Sequence, residues 1–262
     1  MFNNMTPVVK QLLIINVLVF ILSQVMPQNY ETLSLYYFES EKFRFWQPFT
    51  HMFMHAQMPN FMHILFNMFA LVSFGSALEH YWGGKKFLFF YIACGLGAAL
   101  VQTGMNYYEI HSVINHLGLS SQDMQVIFDT PLGEVFDAAG KSTGKVDEIL
   151  SRVHCTQADF DKLSQIYGSC VGASGAIYGL LVAFAFMFPF AELAFMFIPV
   201  PIKAKYFVPI IVGLDLFSGV TGFSLFSGGG NIAHFAHVGG ALTGFILMML
   251  WKNNKFKHNR WN

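Results

Sequence analysis

The chain has 262 residues, of which 54% are hydrophobic, 17% aromatic and only 11% charged. Soluble domains carry about 25% charged residues, so this composition excludes an ordinary water-soluble globule and defines a polytopic membrane protein. Basic and acidic residues balance at 15 each. No basic patch with interleaved aromatics occurs, which excludes a nucleic-acid partner.

A hydrocarbon core of about 30 Å needs about 20 apolar residues per helix. Six segments supply them: 7–26, 60–79, 86–105, 169–188, 206–223 and 231–251. The expected fold is an all-α, six-transmembrane-helix bundle, a single membrane domain over 1–262. The first segment carries one basic residue, Lys10, and no small-x-small cleavage site follows it. It is therefore expected to be a retained span rather than a signal peptide.

Between the third and fourth segments lies a polar stretch, 106–168, that holds most of the acidic residues. Within it Val146, Ile149, Leu150 and Val153 recur at helical spacing, and Thr156-x-x-Asp159 before Phe160 has the form of a capping box. The pattern predicts a small, partly helical insertion on the membrane surface. Cys94, Cys155 and Cys170 show no C-x-x-C spacing, so no zinc site is expected. A Cys155–Cys170 bridge would need an oxidising compartment.

Orientation follows from the basic residues. One side collects Lys10, Lys85, Lys86, Lys203, Lys205, Lys252, Lys255, Lys257 and Arg260 in short turns and tails. The other side dilutes Lys42, Arg44, Lys141, Lys145, Arg152 and Lys162 among carboxylates. Both termini are expected in the cytoplasm, with 27–59 and 106–168 facing outward. A bacterial inner (plasma) membrane suits that arrangement.

Polar residues inside these segments point to a site. His63 and Asn67 lie just inside the outer end of the second segment, Ser174 inside the fourth and His237 inside the sixth. At about 1.5 Å per residue all four sit roughly 5–11 Å below the outer boundary. A serine with a histidine in reach is a nucleophile–base pair. His63 and Asn67, spaced i,i+4 on one helix face, can donate to a developing oxyanion. Taken singly, Asn and His also serve as interhelical glue.

Glycines supply a second pattern. Gly175-x-x-x-Gly179 follows the serine and Gly240-x-x-x-Gly244 follows the histidine. Such small-xxx-small faces let helix backbones approach, here beside the polar side chains. The soluble-hydrolase elbow Gly-x-Ser-x-Gly is excluded, because Ala176 stands two after the serine and the context is a membrane helix. His51 and His55 are also i,i+4, but with no H-E-x-x-H they are expected to be structural. Asp215 could orient a histidine as a third triad member, but it is expected to enter from the opposite side and to lie deeper than His237, as a structural or hydrated carboxylate. Glu79 is expected to tie a helix end.

With these residues in view the chain resembles the rhomboid intramembrane serine proteases. The resemblance rests on Trp46-Gln47, His51-x-x-x-His55, His63-x-x-x-Asn67, Gly172-Ala173-Ser174-Gly175, Tyr178 and Ala236-His237-x-x-Gly240-x-x-x-Gly244. It implies a Ser174 nucleophile and a His237 general base without a carboxylate third member. It further implies an oxyanion hole of His63, Asn67, Gly172 and the Ser174 N–H, and a Tyr178 ring packed on His237. Of His234 and His237, the family pattern selects His237. Phe223–Gly230 would cap the site, and the fifth helix would gate entry of substrate.

Gln47 departs from the Arg common after the Trp, and the interval from His55 to His63 is longer than in compact members. No cofactor and no metal are implied. The implied partners are transmembrane-helix protein substrates and the lipid bilayer, and the implied state is a monomer or weak oligomer. An inactive relative that binds transmembrane helices is the alternative. A transporter would show inverted repeats, and none is visible.

Overall fold

The computed structural model describes residues 5–135, 143–195, 198–222 and 233–252. Six apolar helices build the membrane domain: α1 (Pro7–Val25), α2 (Met62–Trp82), α3 (Gly84–Leu117), α4 (Ser174–Met187), α5 (Ala204–Thr221) and α6 (His234–Lys252). Five of them are long and apolar enough to cross a membrane among the described residues. The remaining one, α4, has 14 residues, about 21 Å of helix.

The fourth apolar segment, expected at 169–188, therefore enters helix late. Ser169–Cys170 (β2) pairs antiparallel with Leu35–Tyr36 (β1), and Gly172 turns the chain at φ 132° before the helix begins at Ser174. An apolar count does not separate a strand and turn from the helix that follows them. A second antiparallel pair, β3 (Glu192–Phe195) with β4 (Ile198–Lys203), links α4 to α5. The fold is thus mainly helical, as expected, with two small ribbons besides.

Although short, α4 is the axis of the bundle. Ala176, Leu180 and Ala183 are sealed in the main core with Phe87, Phe90 and Leu71. Its glycines explain how α3 and α6 reach it. A β-carbon on Gly179 would stand 2.3 Å from the Cys94 sulfur of α3, and one on Gly244 would stand 2.8 Å from the Gly179 Cα. Gly97 and Gly239 extend the seam between α3 and α6: a β-carbon on Gly239 would lie 2.9 Å from the Gly97 carbonyl oxygen.

One interhelical polar tie sits at a helix end. The Glu79 carboxylate accepts from the N–H groups of Val8 (3.0 Å) and Val9 (2.9 Å) and from the Thr6 hydroxyl. It satisfies the orphan donors at the start of α1 from a neighbouring helix. At that same end Lys86 lies 4.0 Å above the Trp251 ring, so the ends of α2 and α6 meet the start of α3. Lys86 thus lies at the end of the bundle remote from Ser174.

The stretch 106–168 is only partly an insertion between helices. α3 runs on to Leu117, 34 residues in all, about 51 Å, well beyond the expected end at 105. Its last turns bury Ile110 and Val113 against Ile127, Val146, Leu150 and Leu163, a second hydrophobic core outside the bundle. The expected capping box of Thr156 and Asp159 is present, and Ser120 with Asp123 forms another. Cys94, Cys155 and Cys170 are free thiols.

Candidate functional site

Ser174 is the first residue of α4, rather than a position inside a helix begun at 169. It therefore sits where unsatisfied backbone N–H groups gather. The preceding turn is pinned from below, because the Gly172 N–H donates to the His51 carbonyl (3.0 Å). A β-carbon on Gly172 would press to 3.0 Å from His63 Nε2 and 3.4 Å from Ser174 Oγ. Only glycine suits both the positive φ and this close approach.

His237 Nε2 lies 2.8 Å from Ser174 Oγ. The imidazole is stacked flat on Tyr178, with centroids 4.3 Å apart and planes at 8°. The Gly240 backbone rests on Gly175: a β-carbon at Gly240 would stand 1.8 Å from the Gly175 carbonyl oxygen. The contact that brings serine and histidine together is thus a backbone-to-backbone contact one turn below them.

His63 and Asn67 take different positions. The Ala56 N–H donates to His63 Nδ1 (3.0 Å), so a neutral His63 carries its proton on Nε2. That nitrogen faces Gly172 and the serine. Asn67 is buried one turn further along, and its amide donates to the His63 carbonyl (2.7 Å), toward its own helix rather than the serine. The histidines of the loop between α1 and α2 support this wall. His51 Nδ1 pairs with the Gln47 carbonyl (3.1 Å), and the buried His55 ring lies 5.3 Å from that of His63. Gln47 fills its place after Trp46 by accepting from the Tyr36 N–H (3.3 Å) and donating to the Lys42 carbonyl (2.9 Å).

Asp215 overturns one expectation. Its Oδ1 lies 3.1 Å from His237 Nδ1 and 2.5 Å from His234 Nδ1, and its Oδ2 accepts the Tyr178 hydroxyl. The carboxylate expected elsewhere is therefore beside the imidazole. The physical reason is the end of α5, which stops at Thr221 with Gly222 in a left-handed cap. Counted from that end, Asp215 lies six residues in, about 9 Å, within one helical turn of the depth of His237, three residues past the start of α6. Asp215, His234 and His237 are also the described residues whose ligand atoms could hold a metal ion, all within 4.8 Å of one another. Here the three are joined by hydrogen bonds.

Two further residues complete the site. Gln102 of α3 accepts from the Ala236 N–H (3.1 Å), capping the start of α6 one residue before His237. Its signal was a glutamine inside an apolar segment. His234 was set aside in favour of His237, though a second histidine one turn away was the clue to a shared partner. The expected cap, Phe223–Gly230, lies outside the described residues.

Taken together, fold and site define a multi-pass helical membrane protein with a partly buried serine–imidazole contact near one end of its bundle. A family model described as the Rhomboid domain matches residues 42–126 and 151–253. The chain belongs to the rhomboid family. The match leaves out 127–150, a narrower interval than 106–168. Presenilin-associated rhomboid-like protein, mitochondrial, from Rattus norvegicus is 32% identical over 128 residues, 47% of this chain. The protein of that name from Mus musculus is similar to the same extent. The matched segment spans 31% of the length of these curated relatives.

Proposed function

We propose that this chain is an intramembrane serine endopeptidase that cleaves single-span membrane proteins near the outer membrane interface. The observation that carries the reading is the 2.8 Å contact of His237 Nε2 with Ser174 Oγ at the start of a membrane-embedded helix. In this reading Ser174 attacks the substrate carbonyl while His237 takes its proton. The tetrahedral oxyanion is held by the Ser174 N–H and His63 Nε2–H, with Asn67 turning toward it as substrate arrives and Gly172 keeping the space open. Each such donor is worth on the order of 10²–10³ in turnover. His237 returns the proton to the leaving amine, and water admitted from the outer side repeats the sequence to release the acyl group.

The orientation that fits this chemistry has the lysine-rich helix ends in the cytoplasm of a bacterial inner membrane and the site opening outward. Partners are transmembrane-helix substrates and lipid, and the working unit is a monomer or weak oligomer.

The test is cleavage of a single-span substrate by purified wild type and by Ser174→Ala, with fluorophosphonate labelling as a second readout. Loss of both signals in the variant is expected. Equal cleavage by the two proteins would sink the nucleophile. A wild type that binds such helices, yet neither cleaves nor labels, is the outcome that favours an inactive helix-binding relative.

A further inference from the structure

Asp215 has no part in a two-residue serine–histidine mechanism, yet it is the polar centre of this bundle. It is 8% exposed and faces two imidazole nitrogens and a phenol hydroxyl, drawn from α4 and α6. Local packing delivers it there. A β-carbon on Gly219, one turn further along α5, would stand 3.1 Å from the Phe235 ring. The ring of α6 therefore lies directly on the α5 backbone beside the polar cluster.

A carboxylate can only accept, so all its partners donate. That fixes protons. With Nδ1–H of His237 on Asp215, the lone pair of Nε2 is left facing Ser174 Oγ, the tautomer a general base needs. His234 Nδ1–H shares the same oxygen, and the Tyr178 hydroxyl takes the other. The carboxylate is thereby held at both oxygens in the plane where the catalytic ring can use it.

We infer that Asp215 is a positioning residue for His237, and that His234 and Tyr178 hold Asp215 in turn. The inference rests on the proposed hydrolase reading. When Ser174 attacks, its hydroxyl proton passes to His237 Nε2 and the ring becomes an imidazolium, whose Nδ1–H stays on Asp215. The proton then leaves from Nε2 to the departing amine, and Asp215 never takes it. The rival role is a staple that only ties α5 to α6.

The two roles separate in one experiment on the full chain in liposomes. Turnover of a single-span substrate, the rate of fluorophosphonate labelling and the thermal midpoint are measured for wild type, Asp215→Asn, Asp215→Glu, His234→Gln and the Asp215→Asn/His234→Gln double variant. Asp215→Asn is expected to lower kcat and labelling by the same factor, on the order of 10²-fold or more. KM should stay within about twofold. Asp215→Glu should recover part of the rate. His234→Gln should cost less, and adding it to Asp215→Asn should cost nothing further, as for residues acting through one partner.

An Asp215→Asn protein that melts earlier but labels and turns over at the wild-type kcat would overturn the inference in favour of the staple. So would equal losses in the Asn and Glu variants that track the thermal midpoint. A folded wild type that neither labels nor cleaves would remove the hydrolase reading itself. That result is distinct, because in the first two the wild type is active.

Discussion

Gly240 and Gly175 touch through their backbones: a β-carbon on Gly240 would stand 1.8 Å from the Gly175 carbonyl oxygen. No side-chain rearrangement relieves a clash with a backbone atom, so α4 and α6 must part if Gly240 becomes larger. The Ser174–His237 contact lies one turn away on the same two helices. Gly240→Ala is expected to destabilise the fold by about 3 kcal/mol or more, the upper range for overpacking, and to abolish fluorophosphonate labelling of Ser174. Gly104→Ala is the control, since nothing lies within 4 Å of the added carbon and helix propensity favours alanine by about 1 kcal/mol. Thermal midpoints and labelling of both variants in detergent check the pair. A Gly240→Ala protein with native labelling would show that this seam does not set the site.

Glu79 predicts a different kind of loss. Its carboxylate serves two backbone N–H groups and a hydroxyl at the start of α1. Charge-assisted hydrogen bonds are worth about 1.5–3 kcal/mol each when a partner is removed. Glu79→Ala is expected to lower the thermal midpoint and to raise hydrogen exchange in residues 7–12, while Ser174 of the still-folded fraction labels normally. Glu79→Gln should fall between, since its amide oxygen accepts without the charge. Unchanged exchange in α1 would rule out the cap.

How far the sequence carries can be judged from these residues. Apolar length marks every helix of the bundle, because hydrocarbon admits few charges, and the resemblance marks Ser174 and His237. Three things escape it. The start of α4 depends on the pairing of Ser169–Cys170 with a strand more than a hundred residues away, which no local window contains. The depth of Asp215 depends on where α5 ends, and Gly222 is one glycine among several that could have ended it. The run of α3 into the lobe beyond the bundle depends on Ile110 and Val113 finding partners near residue 150. Each miss is a long-range relation expressed as a local boundary.

The histidines of the loop between α1 and α2 give the protein a pH dependence. Burial holds His51 down at about 4, and His55 at about 3 with the neighbouring His63 adding to the effect. Both are below the usual histidine value of about 6.5, so the unfolded chain binds protons that the folded loop refuses. Their stabilisation is complete above pH about 6.5 and is lost as pH falls toward 4 and then 3, on the order of a few kcal/mol in all. The thermal midpoint is expected to fall steadily from pH 7 to pH 4.5. His51→Asn, which keeps a side-chain hydrogen-bonding group but does not titrate, should flatten that fall. An equal slope in wild type and variant would assign the dependence elsewhere.

The lobe beyond the bundle has a core of its own, in which Val146 is 2% and Leu150 6% exposed. Polar ties brace it, including Arg152 to Asp123 at 2.5 Å, and hydrogen bonds from Ser120 and Arg152 lower the Asp123 carboxyl to about 2. Leu150→Asp places an unpaired carboxylate in that core, a change that costs several kcal/mol and exceeds what so small a core can absorb. Residues 118–168 are then expected to become sensitive to limited proteolysis. The glycine seam of α3, α4 and α6 shares none of these contacts, so labelling of Ser174 should persist at close to the wild-type rate. Proteolysis confined to the lobe with labelling intact would make the lobe a separable unit. Loss of labelling in step with proteolysis would show instead that β1 and β2, which join the lobe side to the turn before Ser174, carry its unfolding into the site.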